Sequence, residues 1–238
     1  MDRDTSIGGS ATRFPQTRHS IVEHASSGDA EVRRAALSDL VAAYWKPVYK
    51  YLRLKWRLTN EDAKDLTQLF FTRALEKEFF AGFDPAVASF RTYLRVCLDR
   101  FAANEHNASE RLKRGGGFIA LDFDEAEREL AFSVDADVEA SFDREWVRSL
   151  FTLAMDDLRG RSEPLRFGVF ARYELSGDSQ VTYAQIANEF QIPVTSVTNY
   201  IAAMRRDLRR ILLDRLKELT ATEREFRSEA RHLFGIEA

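Results

Sequence analysis

Apolar residues recur three and four positions apart along most of the chain, and residues that interrupt helices are scarce. Only 11 Gly and 5 Pro occur among the 238 residues, roughly 7% of the chain, whereas average composition holds about 12%. Apolar residues at this spacing share one face of an α-helix, whereas a half-buried strand alternates apolar and polar residues. No segment alternates convincingly in that way. The sequence therefore predicts an all-α protein, with a kink or break where Pro47 interrupts a long helical stretch.

Composition excludes several broad classes of protein. Hydrophobic residues make up 45% of the chain, too many for a mainly disordered protein. The single cysteine, Cys97, excludes an internal disulfide framework and fits a reducing compartment. No apolar run approaches the roughly 18–20 residues of a membrane span, and the first residues lack the apolar core of a signal peptide. We therefore expect a cytoplasmic protein without a membrane partner.

Residues that commonly carry catalysis form no recognisable constellation in the sequence. The four histidines and the cysteine lack the spacing of metal ligands. The run Gly115–Gly117 is not followed by the Gly-Lys-Ser/Thr of a phosphate-binding loop, so it is interpreted as a hinge. We expect no catalytic residue, no metal site and no cofactor, and hence a protein that is not an enzyme.

Charge is segregated along the chain, although the net charge is only −3. Residues 41–117 hold 14 basic and nine acidic residues, a net charge of +5, whereas residues 118–145 hold two basic and ten acidic residues, a net charge of −8. This division predicts five segments. They are an N-terminal extension at 1–30, a basic helical domain at 31–114, an acidic linker at 115–143, a second helical domain at 144–213 and a helical tail at 214–238.

The segment 182–212 has the pattern of two helices joined by a tight turn. Thr182-x-x-Gln185 is a capping box, and Gln191-Ile192-Pro193 ends the first helix. Such a helix-turn-helix can present its second helix to the major groove of DNA. Small polar residues outside the apolar stripe suit base edges, and the later arginines suit phosphates. The candidate DNA contacts are Thr195, Ser196, Thr198, Asn199, Arg205, Arg206, Arg209 and Arg210. An ordinary helical hairpin with a solvated arginine face is the alternative.

Two further helices carry candidate binding faces. Residues 89–104 interleave arginines with aromatic residues, as single-stranded nucleic-acid sites do, although aromatic residues at helical spacing also form protein cores. The candidates there are Arg91, Tyr93, Arg95, Arg100 and Asn104, with Arg91 and Arg95 favoured. Residues 60–78 instead present an acidic face that suits a protein partner or is simply solvated. Its members are Asp62, Asp65 and Gln68.

Three segments together resemble one family. Residues 62–71 read DAKDLTQLFF and resemble the DAEDLVQEVF segment of extracytoplasmic-function (ECF) sigma factors of bacterial RNA polymerase, with six of ten positions identical. Residues 89–94 read SFRTYL, similar to the family's SFRAWL with Tyr93 in the Trp position. Residues 182–209 resemble its helix-turn-helix, including Ile186-Ala187 and Ser196-Val197. The resemblance covers about residues 30–112 and 144–213, roughly two thirds of the chain.

The resemblance implies a role for each segment. In the family, the helix that matches 60–78 docks on the β′ clamp of core RNA polymerase, and the helix that matches 89–104 recognises and melts the −10 promoter element. The helix-turn-helix reads the −35 element, and the linker threads through the polymerase cleft. Core polymerase, promoter DNA and an anti-sigma factor are the partners this implies. Arg100 and Thr198 depart from the family pattern, so base preference is not transferred.

Two other interpretations stay open at this point. The chain could be a stand-alone helix-turn-helix regulator that binds duplex DNA without polymerase, or a helical interaction module without DNA binding. The tail lies outside the resemblance. It has a capping box at Thr222-x-x-Glu225 and an apolar stripe that includes Phe226 and Ala230. This pattern predicts a helix that either covers a partner site or packs on the second domain.

Overall fold

The computed structural model describes residues 21–25, 29–76, 80, 82–109, 137–177 and 181–234. Within these ranges the regular structure is helical and no strand occurs, which confirms the predicted all-α class. None of the helices in the described ranges is both long and apolar enough to cross a membrane. The helices, in chain order, are α1 (Ile21–His24), α2 (Ala30–Lys55), α3 (Asn60–Glu76), α4 (Phe90–Ser109), α5 (Val138–Arg161), α6 (Pro164–Glu174), α7 (Tyr183–Phe190), α8 (Val194–Glu218) and α9 (Glu223–Phe234).

Side-chain caps fix where several helices begin. Asp29 accepts hydrogen bonds from the backbone N–H groups of Glu31 and Val32 at 2.8 and 3.2 Å, which starts α2. Helix α2 then continues through Pro47 to Lys55, so of the predicted kink or break the break does not occur. Burial of the residues around Pro47, including Tyr44 and Val48, offsets the roughly 3 kcal/mol that an internal proline costs a helix.

Helix α5 begins earlier than the sequence pattern indicates. The acidic linker was predicted to extend to residue 143, but Asp137 caps the helix by accepting from the N–H groups of Glu139 and Ala140 at 3.0 and 3.1 Å. Residues 138–143 are therefore helical, and Ser141 and Phe142 are buried. Residues 115–136 of the predicted linker, which include Gly115–Gly117, lie outside the described residues.

The main core forms around α2 and α5. Tyr44 of α2 stacks on Trp146 of α5 with ring centroids 6.1 Å apart, and Tyr51 meets Phe142 edge to face at 5.5 Å. Beside these rings, Lys50 Nζ lies 2.7 Å from Glu145 Oε2, and both side chains are almost fully buried. Helix α5 contains the first residues of the predicted second domain, yet it packs on α2 of the predicted first domain. The division into two domains stays a prediction.

The remaining helices complete this core and add a smaller one. Helix α1, which the sequence analysis left in an N-terminal extension, buries Ile21 and Val22 in the main core. The second half of α8 and the helix α9 join the same core. Helices α6, α7 and the first half of α8 form a separate cluster. Its buried members are Val169, Ile186, Ala187, Val197 and Ile201.

Candidate nucleic-acid interfaces

A tight turn between α7 and α8 sets the position of the predicted recognition helix. The predicted capping box is present: the Gln185 N–H donates to Thr182 Oγ1, and the Thr182 N–H donates to Gln185 Oε1. Gln191 ends α7 in the left-handed region at φ 54° and ψ 44°. It therefore supplies the chain reversal that glycine more often provides. Pro193 then precedes the first residue of α8.

One face of α8 is polar and exposed along its first half. Thr198, Asn199 and Arg206 follow Thr195 by three, four and eleven positions, so the four share a face about 16 Å long at 1.5 Å per residue. All four are exposed, whereas Val197 and Ile201 on the opposite side are buried in the smaller cluster. The Thr198 hydroxyl donates to the Val194 carbonyl at 3.2 Å.

The other candidates on α8 have different surroundings. Ser196 lies beside the exposed face and is half-buried. Arg205 pairs with Glu174 of α6 at 2.6 Å, whereas Arg209 continues the exposed face. Arg210 pairs with Asp207 at 3.1 Å within the helix.

An apolar groove of about 380 Å³ runs beside this face of α8. Its floor and walls come from α5, α6 and α8, and its lining includes Arg205 and Arg209 as well as the exposed side chains of Phe151 and Leu175. Glu174 also lines the groove and pairs with Arg205, so the groove combines apolar surface with one ion pair and the guanidinium of Arg209.

The five candidates on α4 fall on two opposite faces. Arg91 and Arg95 are four positions apart and share one face, whereas Tyr93 lies about 200° round the helix from Arg91. Arg100 and Asn104 share the face of Tyr93, and both are exposed. A single nucleic-acid strand on one side of α4 therefore cannot contact all five.

Arg91 and Arg95, the favoured candidates, are engaged inside the protein. Arg91 is 9% exposed. Its Nε lies 3.1 Å from Asp143 Oδ1, its Nη2 lies 3.1 Å from Glu229 Oε2, and its guanidinium lies 4.5 Å from the Trp146 ring centroid. Arg95 Nη1 lies 3.5 Å from Asp143 Oδ1, and its Nη2 is 3.7 Å from a second carboxylate on α5. In this conformation both arginines face α5 and α9 rather than solvent.

The opposite face of α4 is aromatic and partly open. Tyr93 is half-buried with its ring centroid 5.3 Å from that of Phe83. Burial, together with a hydrogen bond to Cys97, raises the pKa of Tyr93 to about 12. Burial likewise raises the pKa of the Cys97 thiol above its usual range. Both groups are therefore neutral near pH 7, and Arg100 supplies the positive charge on this face.

The acidic face of α3 is present at the start of that helix. Thr59 caps α3, since the Asp62 N–H donates to Thr59 Oγ1 at 3.2 Å and the Thr59 hydroxyl donates to Asp62 Oδ2 at 2.8 Å. Asp62 and Asp65 are exposed, and Gln68 is half-buried on the same side. The three residues predicted to bind a protein partner thus lie on one solvent-accessible side of α3.

Two residues that the sequence analysis did not single out as site residues, Glu225 and Glu229 of α9, reach the start of α4. Glu225 Oε1 accepts from the Phe90 N–H at 2.8 Å, and Glu229 pairs with Arg91. The capping box at Thr222 marked the start of α9, but no local pattern relates Glu225 to a residue 135 positions earlier. Among the described residues, no group of His, Cys, Asp and Glu side chains is arranged to hold a metal ion.

Comparisons with protein-family models, with curated proteins and with solved structures gave no significant match to this chain.

Proposed function

We propose that this protein is a sigma factor, which directs core RNA polymerase to promoters and helps open the −10 region. The observation that carries the proposal is the exposed polar face of α8, held out from the small core by the left-handed turn at Gln191. Helices α7 and α8 together form the helix-turn-helix of this proposal. In it, Thr195, Thr198 and Asn199 approach base edges of the −35 element, and Arg206 contacts a phosphate.

The acidic face of α3 is the proposed contact with polymerase. Asp62 and Asp65 are exposed and separated by one helical turn, so they can pair with basic side chains of a protein surface. The resemblance to ECF sigma factors gives this face the β′ clamp as its partner. Carboxylates repel phosphates, so in this proposal the face contacts a protein and not DNA.

The −10 element is assigned to α4. The face formed by Tyr93, Arg100 and Asn104 combines an aromatic ring, a positive charge and an amide. These are the groups that hold unpaired bases and a phosphate backbone. Arg91 and Arg95 lie on the opposite face of α4 and are predicted to contact nucleic acid there only in a conformation that releases them from their carboxylate partners. In this proposal the protein acts in the cytoplasm, and an anti-sigma factor is a further expected partner.

A stand-alone helix-turn-helix regulator is the second candidate function. It is favoured by one observation: the face of α8 is exposed in the same conformation in which Arg91 and Arg95 are paired internally. Such a regulator needs only α8 to bind duplex DNA. A helical interaction module, the third class, predicts no salt-dependent binding to DNA of either form.

Binding to promoter-length duplex DNA with and without core RNA polymerase separates these functions. A sigma factor gives a sequence-specific complex that requires the core enzyme, detected as a supershifted band or an anisotropy change that competitor DNA does not remove. Equal specific binding without polymerase contradicts the sigma-factor proposal and supports the stand-alone regulator. Absence of binding under both conditions, over a library of genomic fragments, contradicts both.

A further inference from the structure

We propose that the start of α4 is a phosphate-binding site for single-stranded nucleic acid, and that α9 occupies it with its own carboxylates as an intramolecular competitor. The inference rests on the proposed function in one respect, the assignment of α4 to the melted promoter strand. The site consists of the first N–H group of α4 and the guanidinium of Arg91, and Glu225 and Glu229 of α9 fill it in this conformation.

The first component of the site is the N-terminus of α4. Ser89 Oγ accepts from the Thr92 N–H at 3.3 Å, and this leaves the Phe90 N–H to another acceptor. Glu225 supplies that acceptor at 2.8 Å, while its other oxygen accepts from the Ala221 N–H at 2.9 Å. Helix N-termini bind carboxylates and phosphates through the same N–H groups and the same dipole. Glu225 therefore stands where a phosphate oxygen would bind.

The second component is Arg91, whose hydrogen bonding is incomplete in the closed conformation. Its Nη2 pairs with Glu229, but its Nη1 is buried and has no hydrogen-bond partner among the described residues. A guanidinium recognises carboxylate and phosphate with the same forked geometry. An arginine that is nine-tenths buried with both N–H donors of one nitrogen unused is a costly arrangement for a purely structural residue. The same arrangement is expected of a residue that binds a phosphate and, when no phosphate is bound, pairs with a carboxylate in its place.

The charge around the site favours exchange of one anion for another. Arg91 and Arg95 face four carboxylates, those of Glu139, Asp143, Glu225 and Glu229, at the junction of α4, α5 and α9. Burial raises the pKa of the Glu225 carboxyl despite its two backbone donors, so keeping its charge here is unfavourable. If the two carboxylates of α9 move away, two arginines and two carboxylates remain, so their charges balance. The position that the α9 carboxylates held is then open to another anion.

Helix α9 is the element suited to move. Its apolar contact with the main core is made by Phe226, Ala230 and Leu233, whereas it meets α4 through a backbone hydrogen bond to one carboxylate and an ion pair to another. Buried ion pairs add little net stability because the loss of hydration offsets the attraction, so their separation costs little when a new anion replaces the old one. Separation of α5 from α2 would instead expose Trp146 and Phe142, which are almost fully buried. Release of α9 alone is therefore the less costly way to uncover the start of α4.

The test measures binding of a fluorescently labelled single-stranded oligonucleotide to the full chain by anisotropy, without polymerase. The double variant Glu225→Gln with Glu229→Gln keeps the side-chain shapes but removes the competing charges, and we expect it to bind at least about tenfold more tightly than the wild type. Glu223→Gln is the matched control. It makes the same change at an exposed position of α9 whose partners are Lys217 and Arg227, and we expect unchanged affinity.

A third variant locates the site. Addition of Arg91→Gln to the double variant is expected to abolish the gain, and circular dichroism confirms that each variant remains helical. Equal affinity of the wild type and the double variant, or a gain that survives Arg91→Gln, overturns the inference. Transcription by core polymerase with the wild-type chain is measured in parallel. If the wild-type chain gives promoter-dependent transcripts but the double variant binds the oligonucleotide no more tightly, the proposed site is rejected and the sigma-factor function is not. If the double variant binds more tightly but no such transcripts form, the sigma-factor function is rejected and the site is not.

Discussion

Side chains of α4 differ in their exposure to solvent, although one basic and aromatic sequence pattern predicted that all of them contact nucleic acid. Arg91 is 9% exposed and paired with Asp143 and Glu229, whereas Arg100 and Asn104 are exposed. The helical period alone predicts that these residues lie on different faces. It does not predict which face is covered, because the covering carboxylates belong to helices more than 40 positions later in the chain.

The reaction rate of the Cys97 thiol reports on the surroundings of the exposed face of α4. Burial raises the pKa of its thiol, and only the thiolate reacts with disulfide reagents. We expect the thiol of the native protein to react at least about tenfold more slowly at pH 7.5 than the same thiol in denaturant, with a rate that rises steeply as pH increases. A chromogenic disulfide reagent measures both rates, and Cys97→Ala provides the blank. Equal rates in the two states contradict a half-buried, neutral thiol.

Residues on the face of α8 are expected to differ in how they affect DNA binding. Asn199→Ala removes a group placed to read a base edge, so it is expected to lower specific affinity by about 1–3 kcal/mol and relax preference at one position. Arg206→Ala removes a phosphate contact, so it is expected to weaken binding to all sequences and reduce the salt slope by about one.

Competition binding of the polymerase complex on specific and scrambled duplexes measures both changes. Arg161→Ala is the control, since it removes an exposed arginine whose partner is Asp157 in the same helix. Identical behaviour of the Asn199 and Arg206 variants argues against the assigned orientation of α8.

At the scale of elements, α3 carries the proposed polymerase contact. Asp65→Arg reverses a charge at an exposed position and leaves the core of the helix intact, so association with core polymerase is expected to weaken by at least about tenfold while the melting temperature changes by less than about 2 °C. Co-migration with core enzyme in gel filtration measures association. Asp39→Arg makes the same change at an exposed position of α2 and serves as the control. Undiminished association of the Asp65 variant removes this face of α3 from the proposal.

The packing of α5 on α2 has an energetic test of its own. Among the described residues, Lys50→Met leaves the buried Glu145 carboxylate with Arg148 alone as an ionic partner, so the free energy of unfolding is expected to fall by about 3 kcal/mol. The added change Glu145→Leu is expected to restore most of it. Denaturant unfolding measures both, and Arg210→Met at an exposed pair is expected to cost less than about 1 kcal/mol. A Lys50→Met variant as stable as the wild type contradicts a buried contact between α2 and α5.

Sequence patterns predicted elements better than their ends and partners. The capping box at Thr182 and the reversal at Gln191 were predictable because each depends on residues within a few positions. The start of α5 at Val138 was placed too late, because a run of acidic residues resembled a linker and concealed the cap at Asp137. Helix α1 was missed because its four residues are too few to establish a period.

At the scale of the whole molecule, the segregation of charge has a structural counterpart. The basic face of α4 meets the acidic start of α5 and the glutamates of α9, and the polar face of α8 remains open. The sequence indicated separate basic and acidic segments but not which of their residues pair, because contacts between distant segments leave no periodic pattern in the sequence. The net charge of −3 is therefore a sum over basic and acidic faces, some of which lie against one another in the structure.

The central claim is that this protein confers promoter recognition on RNA polymerase. Its most direct test is transcription by purified core enzyme of the source organism on a library of genomic fragments, with 5′ ends of the transcripts mapped by sequencing. The account predicts transcripts that start at a defined set of sites sharing two upstream elements, only when this protein is present. Transcription no greater with the protein than without it, despite an active core enzyme, would contradict the claim.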